Sequence, residues 1–229
     1  MSENTPDGLV RRLRALDTCA VSDALDRFDQ AGAALGLVPL TGNRRIAGRV
    51  TTVRLVPVGE AAPSGRHLGT AAVEASGPGT VIVVDHGGRT DVSGWGGILS
   101  LAAVGRGVEG VIVDGACRDV DESRELGLPV YARTAVPRTA RGRVVEQAWN
   151  VPIVICGVAV TPGDYVIADG SGVVFVAAGT ADVVSAADVV SAAEQIAERE
   201  RLMAAEVRRG VRVSQVMGGR YETMLEESQ

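Results

Sequence analysis

The chain has 229 residues, of which 46% are hydrophobic and 22% charged, and its formal net charge is -5. That length admits one large domain or two small ones with ample apolar material for a core, and a mildly acidic chain without a basic tail argues against a general nucleic-acid binder. All 23 basic residues are arginine, so the absence of lysine excludes a Schiff-base aldolase, a pyridoxal-phosphate enzyme and a Walker A phosphate loop.

The N-terminal Met-Ser-Glu-Asn-Thr-Pro-Asp has neither the positive region nor the apolar run of a signal peptide. From Asp7 to Phe28 the pattern is helical. Leu9, Val10, Leu13 and Leu16 fall at helical spacing, and Thr18 and Ser22 offer caps for a second short helix. Pro39–Asn43 reads as a turn, Ile46–Val56 as a strand, and His67–Ser76 as a helix broken by Gly77-Pro-Gly. Thr80–Asp85 is a short buried strand, after which Gly87-Gly88 opens a loop. Gly94-Trp-Gly-Gly leads into a helix over Ile98–Arg106. Gly110-Val-Ile-Val-Asp-Gly follows as a buried strand, Asp119–Leu126 as a short helix and Pro129–Ala132 as a strand, which together indicate a parallel βαβ unit. Ile153–Val160, Tyr165–Ala168 and Val173–Val176 read as strands separated by turns at Thr161-Pro-Gly-Asp and Asp169-Gly-Ser-Gly. Ala181–Arg209 is helical and strongly charged, Gly210 stops it, and Tyr221–Leu225 forms one more short helix. No apolar run approaches the ~20 residues of a membrane span. The expectation is one α/β domain over 1–229 with a helical C-terminal arm from about residue 181, soluble and cytoplasmic, contacting neither membrane nor nucleic acid.

Chemistry concentrates in Asp114-Gly-Ala-Cys-Arg-Asp119. It follows a buried strand and leads into a helix, and ligands of open α/β sheets bind at the carboxyl ends of strands. The Arg118 guanidinium is a rigid fork suited to a carboxylate or a polarised carbonyl. Asp119 offers hard oxygens to Mg²⁺ or a similar ion, which keeps several waters and takes only one or two carboxylates. On the dipeptide alone, a surface ion pair or a helix cap is the simpler account. Gly94-Trp-Gly-Gly-Ile-Leu99 could direct backbone N–H groups at an anion, or could be a tight turn. Two histidines, His67 and His86, are too few for a multi-histidine zinc site, and neither sits in a nucleophile motif, so structural roles are favoured. Cys19, Cys117 and Cys156 form no CxxC pair and no disulfide framework, and Cys117 reads as a small buried hydrophobe rather than a nucleophile. The run Glu194–Arg209 reads as a solvated helix face that could also carry an acid into a neighbouring subunit.

Taken in order, Trp95-Gly-Gly-Ile-Leu, Gly110-Val-Ile-Val-Asp-Gly-Ala-Cys-Arg-Asp, Leu128-Pro-Val, Gly157-Val-Ala-Val-Thr-Pro-Gly-Asp and Asp169-Gly-Ser-Gly-Val-Val resemble the RraA-like family. That family includes the divalent-metal 4-hydroxy-4-methyl-2-oxoglutarate aldolases. Val21-Ser-Asp-Ala-Leu-Asp, Ile46-Ala-Gly-Arg-Val and Gly77-Pro-Gly-Thr-Val-Ile-Val-Val-Asp extend the resemblance upstream. It implies an α/β layered sandwich of the swivelling phosphohistidine-domain type, assembled as a homotrimer or stacked trimers with sites at subunit clefts. It implies that Arg118 contacts a pyruvyl group, that Asp119 anchors Mg²⁺ or Mn²⁺ largely through waters, and that the backbone of Gly96, Gly97, Ile98 and Leu99 holds the substrate's carboxylate. It also implies that the C-terminal helix offers an acid to the neighbour's cleft, where Glu194 and Glu198 lie one helical turn apart. Gly97 departs from the pattern, because metal-dependent members usually carry an acid there. The implied activity is cleavage of a 4-hydroxy-2-oxo acid to pyruvate and a second carbonyl acid, with oxaloacetate decarboxylation as a side activity. The alternative is a non-catalytic regulator that binds a ribonuclease, or a pathway enzyme of altered chemistry on the same scaffold. The family has also been labelled a demethylmenaquinone methyltransferase, but no glycine-rich nucleotide loop follows the first strand.

Overall fold

The computed structural model describes residues 6–62, 65–179 and 184–218. Two short helices open it, α1 (Pro6–Ala15) and α2 (Thr18–Arg27). The cap of α2 is Asp17, whose side chain accepts from the Ala20 N–H at 2.8 Å, in place of the expected Thr18 or Ser22. Two-residue strands β1 (Ala33–Ala34) and β2 (Val38–Pro39) precede the long β3 (Ile46–Pro57), so the expected turn at Pro39 begins inside a strand. Helix α3 (Thr70–Ala75) leads to β4 (Thr80–Ser93), α4 (Gly97–Gly105) to β5 (Gly110–Cys117), and α5 (Val120–Glu125) to β6 (Val130–Ala135). An antiparallel strand without a clear signature in the sequence, β7 (Val144–Trp149), follows. Then come β8 (Ile153–Ile155), β9 (Val158–Val160), β10 (Tyr165–Asp169), β11 (Gly172–Val176), the long α6 (Ala186–Arg208) and the single turn α7 (Val213–Val216). The expected helix over Tyr221–Leu225, and the first residues of the arm at 181–183, lie outside the described residues.

Among the described residues the strands form a nine-stranded mixed sheet, ordered β1-β11-β10-β3-β4-β5-β6-β2, with β7 also paired to β3. Neighbours β3, β4, β5 and β6 are parallel, as the alternation of apolar strands and short helices predicts. Two predicted elements differ. The Gly87-Gly88 loop is a bulge within β4: both glycines have positive φ, and the register with β5 jumps from Asp85↔Asp114 to Arg89↔Gly115. Extra residues are thus pushed out and the strand resumes. The single strand Ile153–Val160 is a hairpin, β8 against β9, because Cys156 and Gly157 both turn at positive φ.

Period-two alternation sorts the core. Ile82, Val84, Val111 and Val113 face α3 and α4 on one side, together with Trp95, Leu99 and Ala103. Further along that same face, Ala47, Tyr165, Ile167, Val174 and Val176 meet α1, α2 and α6. The alternate residues Val81, Val83, Ile112, Val166 and Phe175 face the β8–β9 hairpin. The hairpin is pinned by buried Asp114, which takes Arg133 Nε at 2.5 Å on one oxygen and the Cys156 N–H at 2.7 Å on the other. Helices therefore cover one face and the hairpin the other. This arrangement leaves the carboxyl ends of β4 and β5 open beside α4. No described helix is long and apolar enough to cross a membrane.

Candidate active site

The residues Gly94 to Leu99 leave the end of β4, and Arg118 and Asp119 leave the end of β5. The two segments are tied by backbone: the Gly94 N–H donates to the Ala116 carbonyl at 2.8 Å and the Arg118 N–H to the Trp95 carbonyl at 3.0 Å. Beneath them runs a buried polar chain. Trp95 Nε1 donates to Ser100 Oγ at 2.9 Å, Ser100 Oγ meets Ser123 Oγ at 2.8 Å, and Ser123 Oγ donates to the Asp119 carbonyl at 3.1 Å. Trp95, Ser100 and Ser123 are almost wholly buried, so each polar atom needs its partner and the start of α4 is locked to that of α5.

Asp119 stands at the N-cap of α5 but does not cap it. Its backbone is left-handed, φ 55 and ψ 41, and its side chain makes no bond to its own helix. Its Oδ2 instead accepts the Gly97 N–H at 2.9 Å and lies 3.3 Å from Arg118 Nε. A left-handed non-glycine residue is a strained conformation that persists where surroundings enforce it, and such residues gather at functional sites. The carboxylate is 30% and the guanidinium 39% exposed, so their ion pair alone contributes little stability. Both accounts open at the sequence level, ion pair and cap position, are thus partly realised, yet the carboxylate is turned toward α4 rather than toward its own helix.

Gly96, Gly97, Ile98, Leu99, Arg118 and Asp119, the residues expected to bind substrate and metal, line one cavity of about 670 Å³. The Gly97 N–H is committed to Asp119. The first-turn amides of Ile98 and Leu99 belong to the group that α4 itself cannot satisfy. The far wall was not legible in the sequence. It carries Arg66, His67, Arg141 and Glu146, with Leu68, Val73 and Val144 between them. Glu146 is only 8% exposed and its Oε2 accepts the Gly69 N–H, 2.6 Å away, at the start of α3. Its signal is the alternation Val144-x-Glu146 within β7, a strand that the sequence pattern did not reveal.

The two acids expected on the C-terminal helix are elsewhere. Glu194 takes both Arg12 Nε and Arg12 Nη2 at 2.8 Å, joining α6 to α1, and Glu198 is exposed and pairs with Arg201 at 2.7 Å. Neither lines the cavity of its own chain. His86 is buried, with Nε2 2.9 Å from the Val92 carbonyl, and burial lowers its pKa. Cys117 is buried, and that burial pushes its thiol up to about 11, which agrees with a packing role.

The family model described as RraA-like, Aldolase/RraA, matches residues 18–175. A 4-hydroxy-4-methyl-2-oxoglutarate aldolase from Thermus thermophilus is 34% identical over 157 residues, which are 68% of this chain and 90% of that protein. Protein DlpA of Legionella pneumophila is 29% identical over 77% of this chain, but the match spans only 28% of that longer protein. The crystal structure of RraAS2 from Streptomyces coelicolor, described as an unusual member of the RNase ES inhibitor RraA protein family, superposes with a TM-score of 0.76 at 25% identity, covering 90% of this chain and all of that one (100%). The match takes in most of the chain, from the start of α2 into β11, and the chain belongs to the RraA-like family.

Proposed function

We propose that the protein is a divalent-metal-dependent carbon–carbon lyase of the cytoplasm. It cleaves a 4-hydroxy-2-oxo acid bearing a further carboxylate, of the 4-hydroxy-4-methyl-2-oxoglutarate type, to pyruvate and a second carbonyl acid. Oxaloacetate decarboxylation is its side reaction. The observation that supports this reading most is the meeting of Arg118, Asp119 and the first turn of α4 at one cavity. Likeness to the Thermus aldolase supports the reaction class.

Mg²⁺ and Mn²⁺ accept one or two carboxylates and keep water elsewhere, and the Asp119 carboxylate at the cavity is of that chemistry. Asp119 would hold the ion. Its Oδ2 is fixed by Gly97 and Arg118, and its Oδ1 takes no hydrogen bond among the described residues. When bound, the cation supplies positive charge beside the enolate that forms as the carbon–carbon bond breaks. Arg118 places a planar fork of donors on the pyruvyl oxygens, where that negative charge develops. The Ile98 and Leu99 amides hold the pyruvyl carboxylate at the N-terminus of α4. Arg141 also lines the cavity and offers a guanidinium to a second carboxylate. Leu68, Val73 and Val144 keep that space poor in water, which strengthens each charge–charge contact.

Because Glu194 and Glu198 lie away from the chain's own cavity, they serve this chemistry only across a subunit contact. The reading therefore includes a homotrimer or hexamer of the phosphohistidine-domain type. The test is pyruvate release from a panel of 4-hydroxy-2-oxo acids and oxaloacetate, with Mg²⁺ and with EDTA. No release from any of them in the presence of metal overturns it. A second reading, a non-catalytic binder of a ribonuclease, is favoured by Gly97, which carries no acid, and by the likeness to RraAS2. It predicts a stable complex with a ribonuclease and no metal-dependent turnover.

A further inference from the structure

Three acids line the cavity among the described residues: Glu74, Asp119 and Glu146. Glu74 is exposed near the end of α3, and Asp119 is engaged by the Gly97 N–H and Arg118. Glu146 differs from both. It shares the inward face of β7 with Val144, and only 8% of it is exposed. Its two oxygens have unlike surroundings. Oε2 accepts the Gly69 N–H at 2.6 Å, whereas Oε1 takes no hydrogen bond among the described residues and is not closed off from solvent. Because Glu146 lines the cavity, Oε1 is the oxygen open to it. Gly69 carries this carboxylate toward α4. Its φ is +78, and a Cβ on it would lie 3.2 Å from Leu99 Cδ1 and 3.4 Å from Trp95 Cζ3. The anchored carboxylate therefore stands across Gly69 from Leu99, in the first turn of α4. A neutral amide would accept the Gly69 N–H equally well. A carboxylate buried in a wall that also carries Leu68, Val73 and Val144 loses hydration that one backbone bond does not restore, so its charge calls for a further reason.

We propose that Glu146 is the general base of carbon–carbon cleavage: its Oε1 takes the proton of the substrate's C4 hydroxyl. The inference rests on the lyase reading and deepens it. With C1 held at the start of α4 and C2 at Arg118, C4 lies two carbons further into the cavity, on the side of Gly69 and Glu146. As the hydroxyl proton passes to Oε1, the electron pair of that O–H bond forms the C4 carbonyl. The C3–C4 bond breaks, and its pair becomes the pyruvate enolate. Solvent water then protonates C3, and Glu146 returns its proton to solvent. Oxaloacetate needs no such base, because its C4 is already a carboxylate and leaves as CO₂, with the same enolate left behind. The two reactions of the lyase reading therefore differ in their need for Glu146.

The experiment assays the full-length protein with Mg²⁺ for pyruvate release from 4-hydroxy-2-oxo acids and, separately, from oxaloacetate. The variants are Glu146→Gln and Glu146→Ala, the second with and without added formate. Glu146→Gln keeps an oxygen for the Gly69 N–H, so its Tm and Mn²⁺ affinity are expected to match those of the parent. Its cleavage kcat is expected to fall about 10²–10⁴-fold, the scale of general-base help, while oxaloacetate decarboxylation stays within about threefold. Formate, a carboxylate small enough for the space left by the side chain, is expected to restore about tenfold or more of the cleavage lost in Glu146→Ala. An acid that only holds Gly69 in place would show neither the split between reactions nor the rescue. Parental cleavage in Glu146→Gln overturns the inference, and so does a loss equal for both reactions at unchanged Tm. Where Glu146→Gln loses its fold, the formate arm decides, and absence of rescue overturns the inference. If the unmutated protein decarboxylates oxaloacetate but cleaves no hydroxy acid of the panel, the base falls while the roles of Asp119 and Arg118 stand. If it releases pyruvate from neither, the lyase reading falls and the inference with it.

Discussion

Asp119→Asn and Asp119→Ala separate two jobs that one side chain performs. The carboxylate accepts the Gly97 N–H at 2.9 Å, and the residue holds a left-handed backbone, φ 55. Alanine fails on both counts. It removes the acceptor of a half-buried amide, a loss of about 1 kcal/mol net, and it tolerates the left-handed region less well than aspartate, which adds about 1 kcal/mol. Together these amount to about 2 kcal/mol, or a fall in Tm of about 4–8 °C for a domain of this size. Asparagine tolerates the left-handed region and keeps an oxygen toward Gly97, so its cost is about 1 kcal/mol or less. Both variants lack the charge, so both should lose divalent-metal affinity in calorimetry and lose pyruvate release. Scanning calorimetry without metal, followed by titration with Mn²⁺, reads the two jobs separately. Equal Tm in the two variants would refute the structural part. Undiminished Mn²⁺ affinity in Asp119→Asn would refute the assignment of the ion to this carboxylate.

Arg118→Lys retains the charge but not the planar fork, and should lower kcat/KM by about 10²-fold or more while leaving Mn²⁺ binding intact; near-normal kinetics would show that charge alone suffices. Ser100→Ala removes the acceptor of the buried Trp95 Nε1–H, 2.9 Å away, and should cost about 1–3 kcal/mol in urea unfolding, because a buried donor is left unpaired; an unchanged midpoint would show that the polar chain is dispensable. Burial lowers the pKa of His86, whose Nδ1 has no partner in the described structure, so the folded state resists protonation more than the unfolded one. Its contribution to stability is then complete above the unfolded value of about 6.5 and is lost as pH falls below it toward the lowered folded value, so the urea midpoint should fall over that window more steeply in the parent than in His86→Gln.

The parallel core was legible because its strands are short apolar runs bounded by glycine, as in Val81–Val84 and Val111–Val113, each followed at close range by a helical pattern. Arg118 and Asp119 were legible for a related reason: polar residues directly after a buried strand have few places to go other than the carboxyl edge of the sheet. The continuation of β4 was hidden because two glycines that would break most strands make a bulge here, and its pairing with β5 resumes only at Arg89. Glu146 was hidden because it reaches the cavity through β7, an edge strand whose pairing with β3 is a tertiary fact, and Arg141 because it lies in the turn that leads into that strand. The direction of the Asp119 side chain was equally invisible. An aspartate before a helix reads as a cap, and only the approach of α4 offers it a better donor.

That approach alters the role of the Gly96-Gly97 pair. Successive glycines before a helix suggest amides reserved for a bound anion. Here the anion that takes the Gly97 amide is the protein's own Asp119, and a Cβ on Gly97 would stand 3.2 Å from Asp119 Cβ. A Cβ on Gly96 would likewise stand 2.9 Å from Asp119 Oδ2 and 3.3 Å from Arg118 Nε. The pair thus lets the end of β5 and the start of α5 close on the start of α4, with Ser100 and Ser123 bonded beneath. Substrate anchoring then shifts one step along the helix, to Ile98 and Leu99, which share a rigid frame with the residue proposed to hold the ion. A change at either glycine should therefore disturb cation and substrate together, whereas Arg118→Lys, which keeps a positive charge beside Asp119, should affect substrate alone. The two classes of variant can be told apart by whether Mn²⁺ affinity and KM move in concert.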